Sequence, residues 1–339
     1  MQIQREQPID QLPNCSWFPF SDEPVLQGLW YVPRLEDPAF LFPEESTDGK
    51  WHLFAHSWLG IHHFISSSGI VWEPSRLLQI RGRSPSVYRE KGVYYLVYEK
   101  HGIPLPFIDH GKKNKHIPKT SHIEMRSSND LIVWSEPRLL LDSKDVPQAS
   151  DYRKNPILSF PRLAICDAGY RLYFGSSEMK LEDSGEKVHR YICSAISLDL
   201  SGPYEIESVS SMMESIPNDK WRNLACGNLA VIAGKKGYAG FQTGIYWDQG
   251  KTKSASAIVY LISEDGKTWQ LGNEKAILVP ADNGWASDYI TACDVRYKED
   301  EDCWYCYFSA SGGTTFGFKR GSIGLLIGKD PTPKKPITI

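Results

Sequence analysis

The sequence lacks a long hydrophobic run, an excess of charge of one sign and any convincing helical period. Across its 339 residues no stretch of about 18 or more apolar residues occurs, so no membrane span is predicted. The 38 basic and 41 acidic residues give a formal net charge of −3, which favours neither nucleic acid nor an anionic membrane as a partner. The absence of helical period favours an all-β fold.

Cysteine is scarce and odd in number. Seven cysteines do not make a secreted disulfide framework, and residues 1–7 lack the apolar core of a signal peptide. The sequence therefore predicts a cytoplasmic chain with reduced thiols. Cys303 and Cys306 have C-x-x-C spacing, but no second pair or nearby histidine completes a zinc set. No metal site is predicted.

One short strand opening recurs five times along the chain. In its first copy, Asp37-Pro38 precedes the apolar residues 39–42. Proline fixes φ and donates no hydrogen bond, so within a sheet it suits the first residue of a strand. The other openings are Ser84-Pro85, Asn155-Pro156, Gly227-Asn228 and Cys293-Asp294. Five copies predict five equivalent sheets whose first residues face a common axis.

A second recurring phrase joins a Ser/Asp/Gly turn to an aromatic residue, which is typical of a hairpin. These aromatic residues are Trp72, Trp134, Tyr204 and Trp269. The two phrases enclose about four short alternating strands per unit, the pattern of a propeller blade. We therefore predict one all-β, five-bladed β-propeller of four-stranded antiparallel meanders, with the recurring tryptophans packed between blades. The predicted blades span residues 35–80, 81–142, 150–210, 222–280 and 288–330, and segment 22–33 closes the ring.

Two insertions interrupt the repeat. Residues 101–122 in blade two carry four histidines and four lysines, and the charged residues 178–189 in blade three include Gly185. Loops of this length in a compact domain are commonly lids or binding loops. The alternative is a solvated surface excursion, which is the favoured interpretation of the lysines.

A five-bladed propeller with Asp-Pro at the first strand of blade one resembles glycoside hydrolase families 43 and 62, and their relatives in families 32, 68, 117 and 130. As a repeat pattern the resemblance covers nearly the whole chain. It implies a glycosidase that cleaves a terminal sugar in an axial funnel. In family 43 a blade-one Asp activates water, a blade-three Asp orients the site and a blade-four Glu protonates the leaving group. Asp37 matches the position of the base.

The sequence departs from the family pattern in blades three and four. Asn155 stands in place of the orienting Asp, and blade four has Asn228 without a nearby Glu. Glu178, at the end of a blade-three strand, is the first choice for the acid, and the other candidates are Glu99, Asp151, Asp288 and Asp294. The missing carboxylates keep two alternatives open, namely a non-catalytic glycan-binding propeller and a protein-interaction propeller.

Further residues are predicted to bind the carbohydrate substrate, including tryptophans near turns, which can stack on the apolar faces of sugar rings. These residues are Trp58, His56, Ser84, Glu99, Asp151, Trp221, Asn228, Trp247 and Asp294. No cofactor is expected. A calcium ion in the central channel, known in some of these families, is neither required nor excluded by the sequence. The oligomeric state is left open.

Overall fold

The chain folds into five antiparallel sheets that form the blades of a five-bladed β-propeller. The computed structural model describes residues 7–28, 32–78, 80–101, 121–149, 156–315 and 318–331. The predicted fold class is confirmed. Among the described residues, no helix is long and apolar enough to cross a membrane.

The strands follow one another blade by blade. Two short strands, β1 (Ser16–Pro19) and β2 (Leu26–Gln27), precede blade one. Blade one comprises β3 (Glu36–Leu41), β4 (Trp51–Ser57), β5 (Gly60–Ser66) and β6 (Glu73–Leu77). Blade two comprises β7 (Arg83–Glu90), β8 (Val93–His101), β9 (Ser121–Ser128) and β10 (Arg138–Asp142).

The remaining blades repeat this order. Blade three comprises β11 (Leu158–Cys166), β12 (Gly169–Lys180), β13 (Lys187–Ser197) and β14 (Glu205–Ile206). Blade four comprises β15 (Leu229–Ala233), β16 (Tyr238–Asp248), β17 (Lys253–Ser263) and β18 (Gln270–Leu271). Blade five contains β19 (Tyr289–Lys298), β20 (Cys303–Thr315) and β21 (Phe318–Lys329). The first strands of neighbouring blades contact one another in a closed ring, so they surround the axis.

The N-terminal part of the chain completes blade five. Strand β1 pairs antiparallel with β21, with Ser16 opposite Lys329, and forms the outer strand of the sheet. Strand β2 adds a shorter pair to β21, with Leu26 opposite Ile323. The outer strand β1 thus lies upstream of the predicted closing segment 22–33. From that segment, Leu26–Gln27 adds the short pair with β21. Pairing both ends of the chain in one sheet protects a strand edge.

The first strands of blades one, two and three carry a bulge near their beginning. In each, the ladder shifts register at a residue with positive φ that precedes proline. These residues are Asp37 (φ 55°), Ser84 (φ 48°) and Phe160 (φ 53°). Positive φ is uncommon outside glycine, and a bulge redirects a side chain beside a functional site. We call the region around the axis where the first strands begin the funnel.

Two predicted strand openings are displaced. In blade three, Phe160-Pro161 occupies the bulge, so the prediction of Asn155-Pro156 for this position is wrong. The stretch contains two X-Pro pairs, and sequence alone does not indicate which pair enters the sheet. In blade five the strand begins at Tyr289, upstream of the predicted Cys293-Asp294. Its register shift falls between Ile290 and Ala292.

The recurring tryptophans pack between blades, as predicted. Each meets an aromatic residue on the second strand of a neighbouring blade in a T-shaped arrangement, which aromatic pairs favour. The pairs are Trp72 with Tyr307, Trp134 with Phe54 and Trp269 with Tyr173, at centroid distances of 5.8, 6.1 and 6.3 Å.

Candidate active site

Asp37 lies at the bulge of β3 and is held by three blades. Its side chain is almost inaccessible, with 1% of the residue exposed. Oδ2 accepts a hydrogen bond from Ser84 Oγ in blade two at 2.7 Å and lies 3.2 Å from His56 Nδ1 in blade one. The backbone N–H of Asp37 donates to Ser309 Oγ in blade five at 3.2 Å. The carboxylate is therefore held in one orientation.

A second carboxylate directly precedes Asp37. Glu36 Oε2 lies 3.9 Å from His56 Nε2, and Oε1 accepts a hydrogen bond from Arg34 Nε at 3.1 Å. The charge of Glu36 is the largest influence on Arg34 and raises the pKa of the guanidinium. The side chains of Arg34 and Glu36 are 34% and 20% exposed, so this ion pair is more accessible to solvent than the side chain of Asp37.

His56 and Glu99 occupy equivalent positions on the second strands of blades one and two, each opposite the residue before the bulge. Each reaches the first strand of the next blade. The backbone nitrogen of Ser84 lies 3.4 Å from His56 Nδ1, the same ring nitrogen that faces Asp37 Oδ2. Glu99, which is 1% exposed, accepts hydrogen bonds from Ser159 Oγ and, at 3.4 Å, from Ser121 Oγ. Glu99 therefore links blades two and three beneath the surface.

Glu178 lies near the end of β12, opposite His189 in β13. This end of β12 pairs with the beginning of β11, so Glu178 is at the funnel edge of blade three. Its Oε2 is 3.5 Å from Lys187 Nζ, and its side chain is 13% exposed. The lysine compensates the charge of this carboxylate.

Asn228 joins blades four and five. It follows Gly227, whose φ of 61° and close approach to the carbonyl of Thr243 leave no room for a Cβ atom. The Asn228 side-chain amide donates to the carbonyl of Thr291. The side chain is thus committed to a contact between first strands.

Asp294 lies farther along the axial channel, among arginines. Its Oδ2 accepts a hydrogen bond from the Phe40 N–H at 3.0 Å and is 3.4 Å from Arg296 Nε. Arg296 also donates to the carbonyl of Val87 at 2.7 Å, and Arg162 lines the same channel. Calcium takes six to eight oxygen ligands, so a channel lined by two guanidinium groups does not fit it. In the described part of the chain, no group of three or more His, Cys, Asp or Glu side chains could hold a metal ion.

The three tryptophans predicted to stack on sugars lie in different surroundings. Trp58, in the turn after β4, and Trp247, near the end of β16, are 41% and 42% exposed on the funnel edge of their blades. Trp221 is 9% exposed, donates from Nε1 to the carbonyl of Glu274 at 3.0 Å and packs edge-on against Tyr246. The structure brings Trp58 and Trp247 to the funnel edge and places Trp221 within the packing of blade four.

Several residues near Asp37 were not predicted from the sequence. Glu36 adjoins the Asp-Pro pair, and that adjacency is the signal that could have found it. Arg34 and Ser309 carry no motif, because their positions depend on closure of the ring. Asp151 and Asn155, together with residues 102–120 of the blade-two insertion, lie outside the described residues.

Solved structures share this fold over nearly their whole length. An N-acetylgalactosamine deacetylase from F. plautii, in complex with blood group B trisaccharide, is 12% identical with a TM-score of 0.60, covering 93% of this chain and 95% of that chain. A family 117 glycoside hydrolase from the marine bacterium Zobellia galactanivorans is 12% identical with a TM-score of 0.58, covering 94% and 92%. An exo-1,5-alpha-L-arabinanase from a bovine ruminal metagenomic library is 15% identical with a TM-score of 0.54, covering 91% and 94%.

No protein-family model and no curated protein matches the sequence. The resemblance to the five-bladed glycoside hydrolases is confirmed at the level of the fold. The chain has the five-bladed β-propeller fold of these solved structures.

Proposed function

We propose that this protein is a glycoside hydrolase-like enzyme that cleaves a terminal sugar from an oligo- or polysaccharide in the funnel. The observation that carries this proposal is the Asp37 carboxylate at the blade-one bulge, where Ser84 and His56 contact Oδ2 and Ser309 accepts the backbone N–H. A base held in one orientation by its surroundings lowers the cost of reaching the transition state. The trisaccharide bound to the deacetylase of the same fold supports a carbohydrate as the ligand.

Asp37 is the proposed base and Glu178 the proposed acid. Both contacts of the Asp37 side chain fall on Oδ2, so we assign Oδ1 to the attacking water. Asp37 takes a proton from the attacking water molecule while the oxygen of that water bonds to the anomeric carbon. The acid gives its proton to the glycosidic oxygen as the carbon–oxygen bond breaks. This division of labour needs two carboxyl groups about 6.5–9.5 Å apart if the configuration inverts.

A glycan-binding propeller without catalysis is the second candidate. One observation favours it: blade four opens with Ala225-Cys226-Gly227, and blade three presents Phe160 at its bulge, so neither opening supplies a carboxylate. This candidate predicts sugar binding without turnover.

A panel of aryl glycosides distinguishes the two candidates. Activated leaving groups need little help from an acid, so they reveal a working base. We expect Asp37→Asn to lower kcat about 10²- to 10⁴-fold. The melting temperature and the affinity for sugar should stay close to those of the wild type. Glu178→Gln should spare activated substrates and slow those with poor leaving groups. Unchanged rates in Asp37→Asn would remove it from the mechanism, and no turnover by the wild type on any substrate favours the binding propeller.

A further inference from the structure

The hairpin between β12 and β13 extends beyond its own blade. We call residues 181–186 the strap. The Leu181 N–H donates to the Glu186 carbonyl at 2.8 Å, and the Gly185 N–H donates to the Leu181 carbonyl at 2.9 Å. Gly185 has φ 71°, which the tight turn requires. The strap is therefore an ordered turn, and blade one makes the corresponding connection with only Trp58 and Leu59.

Polar contacts attach the strap to the two following blades. The Asp183 carboxylate accepts hydrogen bonds from the N–H and the Oγ of Ser254 in blade four, at 2.6 and 2.7 Å. The hydroxyl of Tyr289, at the beginning of blade five, donates to Ser184 Oγ at 3.1 Å. Burial opposes the charge of Asp183, but the hydrogen bonds from Ser254 hold the pKa of this carboxyl below its ordinary value. The strap crosses from blade three over blade four to blade five.

The underside of the strap is apolar. Leu181 and Val188 are buried in one cluster with Ala225, Ile245 and Tyr289. Ala225 lies just before the first strand of blade four, so the strap rests on the funnel edge of that blade. Apolar packing below and hydrogen bonds at the tip keep the strap in place.

Glu186, at the second end of the strap, acts electrostatically on Tyr289 in blade five and on Arg34, which precedes blade one. Its charge adds to that of Glu36 in raising the pKa of Arg34. Burial raises the pKa of Tyr289, and the charges of Asp183 and Glu186 add to that shift. The geometry of the strap fixes the backbone of Glu186: its carbonyl accepts from the Leu181 N–H, and its N–H donates at 3.4 Å to Ser184 Oγ, which Tyr289 contacts at the beginning of blade five.

We infer that the strap forms the wall of the sugar pocket on the side of blade four. It restricts the pocket to the end of a glycan chain, and the side chain of Glu186 binds the terminal sugar. This inference rests on the proposed function. Blade four opens with the small residues Ala225-Cys226-Gly227, and the side-chain amide of the following Asn228 donates to the carbonyl of Thr291. A pocket that a fixed hairpin closes on one side admits the end of a polysaccharide chain. An internal segment of the polysaccharide does not fit, because its chain must leave the pocket on both sides. Carboxylate oxygens accept hydrogen bonds from sugar hydroxyls.

Three variants test the strap. Asp183→Ala removes the contacts with Ser254, whereas Glu186→Gln keeps the shape of the strap and removes one charge. Glu182→Gln is the matched control, since Glu182 is the exposed neighbour on the same turn. The first measurement is amide hydrogen exchange over residues 181–186, which needs no substrate. We expect faster exchange in Asp183→Ala and wild-type exchange in the other two.

The second measurement uses an aryl glycoside that the wild type hydrolyses and a polysaccharide of the same sugar. We expect Glu186→Gln to raise KM about tenfold or more, because a charged hydrogen bond is lost, and Glu182→Gln to keep the wild-type KM. Asp183→Ala should cut internal linkages more often, seen as a larger fall in viscosity per reducing end released. Faster exchange with an unchanged cleavage pattern, or an unchanged KM in Glu186→Gln, would overturn the inference.

A wild type that hydrolyses none of the substrates defeats the proposed function, and the strap is then tested by calorimetric titration with the same oligosaccharides. Weaker binding by Glu186→Gln than by Glu182→Gln would support the strap as part of a binding site. Equal affinity of the two variants, or no binding by the wild type, would overturn it.

Discussion

Ser84 Oγ donates a hydrogen bond to Asp37 Oδ2 at 2.7 Å and joins the first strands of blades one and two at equivalent bulges. Both residues have positive φ and both precede proline. Because the same backbone device is repeated in neighbouring blades, two side chains that are far apart in the sequence meet at the axis. The candidate base is therefore also part of the joint between blades.

Removal of this hydrogen bond should cost stability. We expect Ser84→Ala to lower the free energy of unfolding by about 1.5–3 kcal/mol, since a buried carboxylate loses a donor. Ser311→Ala is the matched control, because Ser311 is also buried beside the funnel in blade five but its Oγ has no hydrogen-bond partner within the described ranges. Urea denaturation measures both, and equal losses would contradict a special contribution from Ser84.

The exposed and buried tryptophans should respond differently to truncation. Trp58→Ala should weaken sugar binding about two- to tenfold with little effect on unfolding, as expected for loss of one stacking contact. Trp221→Ala should cost about 3–5 kcal/mol of stability, because it leaves a cavity in blade four. Titration calorimetry and thermal melting separate the two effects. Wild-type affinity in Trp58→Ala would exclude Trp58 from the binding site.

A buried ion pair within blade three also contacts blade four. Arg171 Nε is 2.7 Å from Glu207 Oε2, both side chains are under one tenth exposed, and Arg171 also donates to the carbonyl of Asp265 at 2.8 Å. Arg171→Met should cost about 1.5–3 kcal/mol, because Glu207 loses its charged hydrogen bonds from Arg171 and keeps Lys267 Nζ at 2.9 Å and Ser194 Oγ at 2.7 Å. Lys251→Met is the control and should leave stability unchanged, since its pair with Asp282 is exposed. Similar denaturation midpoints for the two variants would contradict this expectation.

The turn at Asp265 should make stability depend on pH. Burial opposes the charge, but the N–H groups of Thr268 and Lys267 and the hydroxyl of Ser263 hold the pKa of Asp265 at about 2, below its ordinary 3.8. A lowered pKa stabilises the fold above pH 3.8, and this contribution is lost as the pH falls toward 2. Asp265→Asn should therefore melt at a lower temperature than wild type at neutral pH. The difference should shrink in acid, and a constant difference across this range would refute the assignment.

Local features were predictable from neighbouring residues. The Asp37-Pro38 opening and the turns before Trp72, Trp134 and Trp269 depend on backbone preferences within a few residues, so they appear in the sequence as repeated phrases. Their count yields five blades. The predicted strand opening in blade three was wrong because the prediction used only neighbouring residues. Asn155-Pro156 and Phe160-Pro161 satisfy the same local rule, and only the pairing of β11 with β12 distinguishes them.

The sequence by itself determined the all-β class, the number of blades, the aromatic packing between them and the choice of Asp37 as a candidate base. Only the tertiary structure decided that Ser84, His56 and Ser309 surround Asp37, that Trp221 is buried and that the strap lies on blade four. Ser309 is 272 residues from Asp37. Contacts over such separations depend on the register of every intervening strand and on closure of the ring, which no local pattern encodes.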